Sequence, residues 1–309
     1  MSRHLGLDLG GTNIKWVVVE HAPGNDPNAE TDDWHVVDRG QVPTEADEGP
    51  DAVIDRLARV GAGAIATYPT IESVGIGVPG LYDPRTGNTR MLPNLPGDWD
   101  GRPMATVVGA ALARPTYLVN DARAFGLAEL RLGAGRGVRS MVGLTLGTGI
   151  GGVIAIDGRV HQGHDGTAGE IGHITIDPDG PECTCGSNGC LEAFARADRL
   201  EEFSGAATAE EAVDRARTGD KRALDAIATV GGYLGVGIAS MINVITPDRV
   251  VIGGGVAAAM DLLIGPIRAE LERRVTTTDL AQVEVVTAEL GTWGGGIGAA
   301  VHGAEMAAP

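Results

Sequence analysis

The chain places all three of its cysteines in one short run, Cys183, Cys185 and Cys190, with His173 upstream of them. An odd number of thiols, with no secretory leader in front of them, argues against a disulfide framework, and C-x-C-x-x-x-x-C is not the spacing of a C-x-x-C redox pair. Three thiolates and one imidazole make a tetrahedral Zn²⁺ set with no open position, which is a structural site. Gly186 and Gly189 let the loop fold back on itself. A metal here would also fix its neighbours: Glu192 closely follows Cys190 and Glu170 closely precedes His173. The second ring nitrogen of His173 then needs an acceptor, which a substrate hydroxyl can supply.

Two glycine-rich segments, DLGGT (Asp8–Thr12) and LGTGIGG (Leu146–Gly152), offer backbone N–H groups that can converge on an anion with no side chain in the way. A lysine-bearing phosphate loop is excluded, because the only lysines are Lys15 and Lys221 and neither follows G-x-x-x-x-G. A nucleotide would have to be held by amide dipoles, by hydroxyls such as Thr12, Thr145 and Thr148, and by a metal. Asp8 is a charge in an apolar strand, which requires solvation, pairing or a cation. A plain tight hairpin explains either turn alone; their repetition points to a shared ligand.

Asn120 and Asp121 end the apolar run TYLVND. Asp121 stands where a helix N-cap belongs, ahead of ARAFGLAEL. A carboxylate at the carboxyl end of a strand can equally accept the proton of an attacking hydroxyl. The residues themselves leave both readings open.

The elements that must position these groups follow from composition and pattern. A chain of 309 residues exceeds one growing core and implies two domains. With 43% hydrophobic but only 4% aromatic residues and 48 glycines, the core must be aliphatic, with many close backbone contacts. The net charge of −17 disfavours nucleic acid and anionic membrane as partners. The start, MSRHLGLDLGG, lacks an apolar stretch of signal-peptide length, so a cytoplasmic location is expected. The uncharged stretch Ala226–Pro247 is diluted by glycines, Ser240 and Asn243, and reads as a buried helix rather than a membrane span.

An internal repeat organises the chain. His4–Glu20 lies over Met141–Asp157 without a gap, matching Gly6 to Gly143, Leu7 to Leu144, Leu9 to Leu146 and Gly10 to Gly147. Each copy alternates as strand, glycine turn, strand; the chain returns as a strand and not as the helix of a Rossmann turn. Two related α/β domains facing each other across a cleft are expected. Helical patterns cover Asp51–Ala66, Asp121–Leu132, Leu191–Phe203, Ala209–Thr218 and Met260–Arg274, and strand patterns include SVGIGVPG, TYLVND, RVVIGGG and VEVVTAEL. The acidic segment His21–Pro50 reads as a long surface connection with a short strand near Trp34–Val37 and no evident function.

DLGGTNIK, GVPGLYDPRTGNTRMLPNLPG, NDARAFGLAE, LGTGIGG, GTAGEIGH, CTCGSNGCLE and VVIGGGV, in that order, resemble the ROK family (repressor, open reading frame, kinase) of sugar kinases, especially its bacterial glucokinases. The resemblance spans nearly the whole chain, and GEIGH with CxCGxxGCxE is its most specific element. It implies a duplicated actin-like, hexokinase-like (ribonuclease H-like) α/β fold with a central cleft. The expected division is residues 1–120 plus 295–309 for the N-terminal domain and 121–294 for the C-terminal domain with its zinc loop.

The resemblance further implies that Asp121 is the general base for a sugar hydroxyl, normally the 6-hydroxyl, attacking the γ-phosphate of ATP. Asn120, Glu170, His173 and Glu192 would bind other hydroxyls, with Asn94 and the backbone near Gly80 closing the sugar site. Asp8, Gly10, Gly11 and Thr12 would meet the phosphates and Mg²⁺ from one side, Thr148 and Gly149 from the other, with Gly254 and Gly255 near the adenosine. His173, Cys183, Cys185 and Cys190 would hold the structural zinc. A homodimer or higher homo-oligomer is the family expectation. Glucose is the expected acceptor, with N-acetylmannosamine, N-acetylglucosamine, fructose, mannose or a cyclitol as alternatives, and polyphosphate as an alternative donor. A noncatalytic sugar sensor is the rival of a different class; the family's DNA-binding repressors carry a helix-turn-helix ahead of the first phosphate motif, for which Asp8 leaves no room. The chain departs from the family pattern in the length of its first hairpin extension, in PNLPGDWDG, and in Trp293 within GTWGGGIGAA.

Overall fold

In the computed structural model, which describes residues 1–22 and 33–308, the chain divides into two units. One is Met1–Gly137 with Gln162–Ala168 and Glu289–Pro309; the other is Val138–His161 with Gly169–Ala288. The first contains β1 (Ser2–Leu9), β2 (Asn13–Ala22), β3 (Asp33–Pro43), α1 (Pro50–Thr67), β4 (Ile71–Val78), β5 (Leu81–Asp83), β6 (Asn88–Met91), α2 (Met104–Leu112), β7 (Thr116–Asn120) and α3 (Asp121–Leu132). The second contains β8 (Met141–Leu146), β9 (Ile150–Ile156), β10 (Arg159–Val160), α4 (Leu191–Ala195), α5 (Ala197–Ser204), α6 (Ala209–Arg217), α7 (Lys221–Ile245), β11 (Arg249–Gly253), α8 (Met260–Arg274) and β12 (Glu284–Thr287). The last helix, α9 (Gly294–Ala307), returns to the first unit.

Each unit is built on a sheet of the same design, ordered β3-β2-β1-β4-β7 in one and β10-β9-β8-β11-β12 in the other. In both, an antiparallel hairpin is followed by two parallel strands added beyond its first strand. The repeated polarity bears out the duplication read from the two hairpins. The ungapped overlay slips after the turn, however: it sets Ile14 against Gly151, whereas Leu9 pairs with Ile14 and Leu146 with Ile150. A slip of one residue would turn the apolar face outward, and both Ile14 and Ile150 are buried.

Each sheet has its own aliphatic core. Leu5, Leu7, Ile76 and Val108 belong to the first; Leu144, Leu191, Ile238 and Ile252 belong to the second. Helices α3 and α8 fall at the expected residues, while the expected helix Leu191–Phe203 breaks at Arg196, whose backbone is extended (φ −71°, ψ 165°). The apolar stretch Ala226–Pro247 lies mostly in α7, which is long and apolar enough to cross a membrane. Its face from Ala223 to Ile242 is buried, and Gly231 and Gly235 let α8 approach at Pro266 and Ile267.

Two expectations change, and a helix appears where the sequence pattern showed none. The expected boundary after Asn120 moves to Gly137, because α3 packs against α9 within the first unit. The short strand near Trp34 is the long edge strand β3, paired to β2 from Asp33 to Pro43; residues 23–32 of that segment lie outside the described residues. The glycine segment after Trp293 is helix α9, which its sequence disguises because glycine is a poor helix former. Packing overrides propensity here: a Cβ on Gly6 would sit 1.8 Å from the Gly296 carbonyl, and one on Gly75 would sit 1.7 Å from that of Ala299. Bare backbone on both sides lets α9 lie flush on β1 and β4.

Candidate functional site

In the first unit, DLGGT forms the β1–β2 turn. Gly10 donates its N–H to Asn13 O at 3.0 Å, and the Thr44 hydroxyl donates to Gly10 O at 2.6 Å. Thr44, fully buried at the end of β3's return, is a supporting residue that sequence reasoning missed, since it lies in the segment assigned no function. Gly11 passes close to the Asn94 carbonyl, where a Cβ would stand at 3.0 Å, so Asn94 meets the phosphate-type turn through its backbone. Thr12 is exposed at the tip.

Asp8 sits at the end of β1, paired with Lys15 on β2 and Gly77 on β4, and beside the first turn of α9, where a Cβ on Gly295 would lie 2.7 Å from its carboxylate. Burial pushes its pKa up to about 6; Lys15 opposes the rise and Asp121 adds to it. A desolvated carboxylate with a neighbouring carboxylate is a site that favours a cation. The start of α9 is pinned from outside: Lys15 Nζ donates to Thr292 O at 2.7 Å, and Arg39 stacks 4.7 Å from the Trp293 ring centre. That gives Trp293 a task in holding the turn beside Asp8.

At the β7–α3 junction the helix cap falls one residue earlier than the sequence pattern suggested. Asn120, not Asp121, is the N-cap: its side-chain oxygen accepts from the N–H groups of Ala122 and Arg123 at 3.1 and 3.3 Å. Its amide group donates to Gly80 O at 3.2 Å, so Asn120 also ties down the Gly80 turn. Gly80 adopts φ +141°, and a Cβ there would lie 2.2 Å from Met91 O. Asp121 occupies the first helical position, partly exposed, and accepts from Ala122 N at 2.8 Å.

In the second unit, Gly147 N–H donates to Gly149 O at 3.0 Å, which closes the β8–β9 turn with Thr148 exposed at its tip. Gly254 (φ +88°) lies against this hairpin, where a Cβ would meet Leu146 O at 2.3 Å. Next to the turn opens a cavity of about 540 Å³ lined by Gly147, Thr148, Gly255, apolar Leu200 and Val213, and acidic Glu201, Glu210 and Asp214. The acidic residues of this cavity were not singled out in the sequence, because nothing in the pattern of α5 and α6 marks which of their carboxylates face it. The cavity's Arg217 already donates to Asp261 Oδ1 at 3.1 Å and Ala258 O at 2.8 Å.

The metal set comes together as a group. The ligand atoms of His173, Cys183, Cys185 and Cys190 lie within 4.8 Å of one another, and none of the cysteines is in a disulfide. Cys185 and Cys190 sulfurs are 3.7 Å apart and Cys183 Sγ is 3.8 Å from His173 Nδ1. A tetrahedral zinc with Zn–S bonds of about 2.3 Å requires sulfur separations of about 3.8 Å, so the donors present fit the ion. Burial first, then Cys183 and Cys185, push the Cys190 thiol up to about 12.

His173 turns Nδ1 to the sulfurs and Nε2 to Glu170, at 4.0 Å from Oε2. Glu170 and His173 are both partly exposed. Glu192 is buried: one oxygen accepts the Ile150 N–H at 2.8 Å and the other the Thr184 hydroxyl at 3.2 Å.

The chain belongs to the ROK family, whose profile matches residues 4–303. It is 34% identical over 319 aligned residues to the glucokinase of Thermotoga maritima, covering 96% of this chain and 95% of that protein. Among solved structures it matches a ROK hexokinase from Thermus thermophilus with a TM-score of 0.83 at 34% identity, covering 98% of both chains. It also matches a ROK family glucokinase from Streptomyces griseus in complex with glucose and AMPPNP, with a TM-score of 0.80 at 29% identity over 98% of this chain and 100% of that one. These likenesses bear out the resemblance read from the motifs and the actin-like, hexokinase-like fold.

Proposed function

We propose that the protein is an ATP-dependent sugar kinase that phosphorylates glucose at its 6-hydroxyl. The observation that carries this reading is Asp121: a partly exposed carboxylate at the first position of α3, close enough to the partly buried Asp8 to raise the pKa of Asp8, in a chain that matches glucokinases over nearly its full length. As the sugar hydroxyl attacks the γ-phosphate, Asp121 accepts its proton. Glu170 and the Nε2–H of His173 bind other sugar hydroxyls. Asn120 and Gly80 keep the β7–α3 junction in shape, and Asn94 supports the first turn through its backbone.

Mg-ATP is the second substrate. The turns at Gly10–Thr12 and Thr148–Gly149 meet its phosphates, and Asp8 attracts the cation that accompanies them. The cavity beside Gly255 takes the nucleoside: Leu200 and Val213 suit the base, and the carboxylates suit ribose hydroxyls. Three carboxylates around an already paired arginine favour a nucleoside over polyphosphate as the donor's body.

The Cys₃His set would hold Zn²⁺, which supplies no chemistry to the transfer but fixes the loop bearing Glu170 and His173. Reduced metal-binding thiols suit a cytoplasmic setting. A homodimer is the expected assembly, checked by light scattering of the purified protein.

The test is ADP release from Mg-ATP over glucose, mannose, fructose, N-acetylmannosamine, N-acetylglucosamine and a cyclitol, with Asp121→Asn as the control. Turnover that requires glucose and is lost in the variant supports the reading. A preference for another sugar would reassign the acceptor, and no turnover with any of them from folded, zinc-loaded protein would overturn the kinase.

A further inference from the structure

Thr44 lies just beyond β3, in a segment that the sequence pattern left without a function. Its side chain is fully buried, and all of its polar groups are engaged. The hydroxyl donates to Gly10 O at 2.6 Å, the N–H donates to Thr12 O at 2.9 Å, and the carbonyl accepts from the guanidinium of Arg56. Arg56 stands on α1, whose Val53, Ile54 and Leu57 belong to the core of the first unit, and its side chain is 12% exposed. The same guanidinium is paired with Glu45 and, at 2.7 Å, with Glu48. Glu45 follows Thr44 with φ +49° and ψ 51°, a left-handed conformation that a residue with a Cβ seldom adopts unless its surroundings impose it.

We infer that Thr44 is a positioning residue for the first glycine turn: its hydroxyl draws the Gly10 carbonyl inward and so aims the Gly11 N–H outward, at the place of an anion. The reason is planarity. The Gly10 carbonyl and the Gly11 N–H belong to one trans peptide unit and point in opposite directions. Thr44 is buried and Gly11 is exposed, so a carbonyl drawn to Thr44 leaves the N–H facing away from it. The bond from Thr44 N–H to Thr12 O fixes the next peptide but one in the same way. Glycines do not hold such an orientation by themselves, because their backbone is the least restricted of any residue. Arg56 keeps Thr44 in place through its carbonyl, and Glu45 and Glu48 keep the guanidinium. The inference rests on the kinase reading for the anion being a phosphate of ATP; the aim of the Gly11 N–H does not depend on it.

The test takes the whole chain through three readouts. Affinities for Mg-AMPPNP and for glucose are measured by calorimetry, and deuterium exchange of the amides in residues 8–14 is followed by mass spectrometry. Thr44→Val removes the hydroxyl and nearly keeps the shape; it is expected to weaken Mg-AMPPNP by about tenfold, to speed exchange in 8–14 by about tenfold, and to change glucose affinity by less than about threefold. Thr44→Ser restores the hydroxyl and is expected to stay within about threefold of wild type in all three. Arg56→Met leaves the hydroxyl but frees the Thr44 carbonyl, and should move the first two readouts in the same direction by a smaller factor.

A lower melting temperature in Thr44→Val with unchanged Mg-AMPPNP affinity and unchanged exchange would overturn the inference and leave Thr44 as a packing residue. Equal damage from Thr44→Ser and Thr44→Val would overturn it as well, since a restored hydroxyl would then restore nothing. If Thr44→Val does not fold, Arg56→Met decides: Mg-AMPPNP affinity and exchange equal to wild type overturn the inference, and a shift in both supports it. A wild-type protein that binds neither Mg-AMPPNP nor any sugar would count against the kinase reading alone, because exchange in residues 8–14 still reports the turn.

Discussion

Arg123 and Glu129, both buried on α3, each anchor one of the two segments by which the chain returns to the first unit. Arg123 donates Nε and Nη2 to Ala168 O at 3.1 and 2.7 Å, which holds Gln162–Ala168. Glu129 accepts the N–H groups of Glu289 and Leu290 at 3.1 and 2.9 Å, which holds the lead-in to α9. A buried charge is tolerable only with such partners. Arg123→Met and Glu129→Gln are each expected to lower unfolding stability by about 2–4 kcal/mol in urea titrations. Arg123→Met should also expose the segment 162–168 to limited proteolysis before global unfolding.

Asp121→Asn keeps an oxygen for the Ala122 N–H and leaves the Asn120 cap untouched. Its expected effect is therefore on chemistry: kcat falls by about 10²–10⁴, with glucose affinity within a few-fold of the wild type and an unchanged melting temperature. A fall in stability of similar weight would mean that the residue is structural.

Asp8 predicts an unusual pH dependence. Its folded pKa, about 6, lies above the ordinary 3.8, so the folded state holds this proton more tightly than the unfolded chain does. Its contribution is favourable at low pH and is lost as pH rises through about 6. Asp8→Asn should therefore be more stable than wild type at pH 7, on the order of 2–3 kcal/mol in the absence of ligand, with the gap opening between pH 4 and 6. His4 and His302, both lowered to about 4 chiefly by burial, act in the opposite sense but are present in both proteins and cancel in the difference. The same variant should lose most of its kinase activity. Stability that is gained as activity is lost would mark Asp8 as strained for function.

Removing one ligand of the metal set without disturbing packing is possible at Cys185, whose side chain is exposed. Cys185→Ser, or treatment of the wild type with a strong zinc chelator, should abolish stoichiometric zinc in elemental analysis and lower the melting temperature. Glucose affinity should fall by about 10–100-fold as His173 loses its anchor. Retained zinc and retained glucose affinity would remove Cys185 from the set.

The cavity beside Gly255, proposed for the nucleoside, can be filled from its rim. Ala258 is exposed and lines it, so Ala258→Phe should raise KM for ATP by about tenfold or more while leaving glucose affinity unchanged in equilibrium binding. An unchanged KM would place the nucleoside elsewhere.

What the sequence determined by itself was the chemistry that depends on local order. The cysteine run with His173, the two glycine turns, the boundaries of α3 and α8 and the duplicated hairpin are all visible because spacing, alternation and helical period are properties of contiguous residues. Only the tertiary structure decided matters in which distant backbone takes part. Asn120 became the cap and Asp121 the first helical residue because the cap is fixed by which side chain reaches two N–H groups. The α9 glycines became a buried helix because they face Gly6 and Gly75. Glu192 met the Ile150 N–H instead of only flanking a metal loop, and α3 joined the first unit through Arg123 and Glu129. In each case the outcome turns on which distant polar group or bare backbone lies within reach, and one-dimensional patterns do not encode that distance.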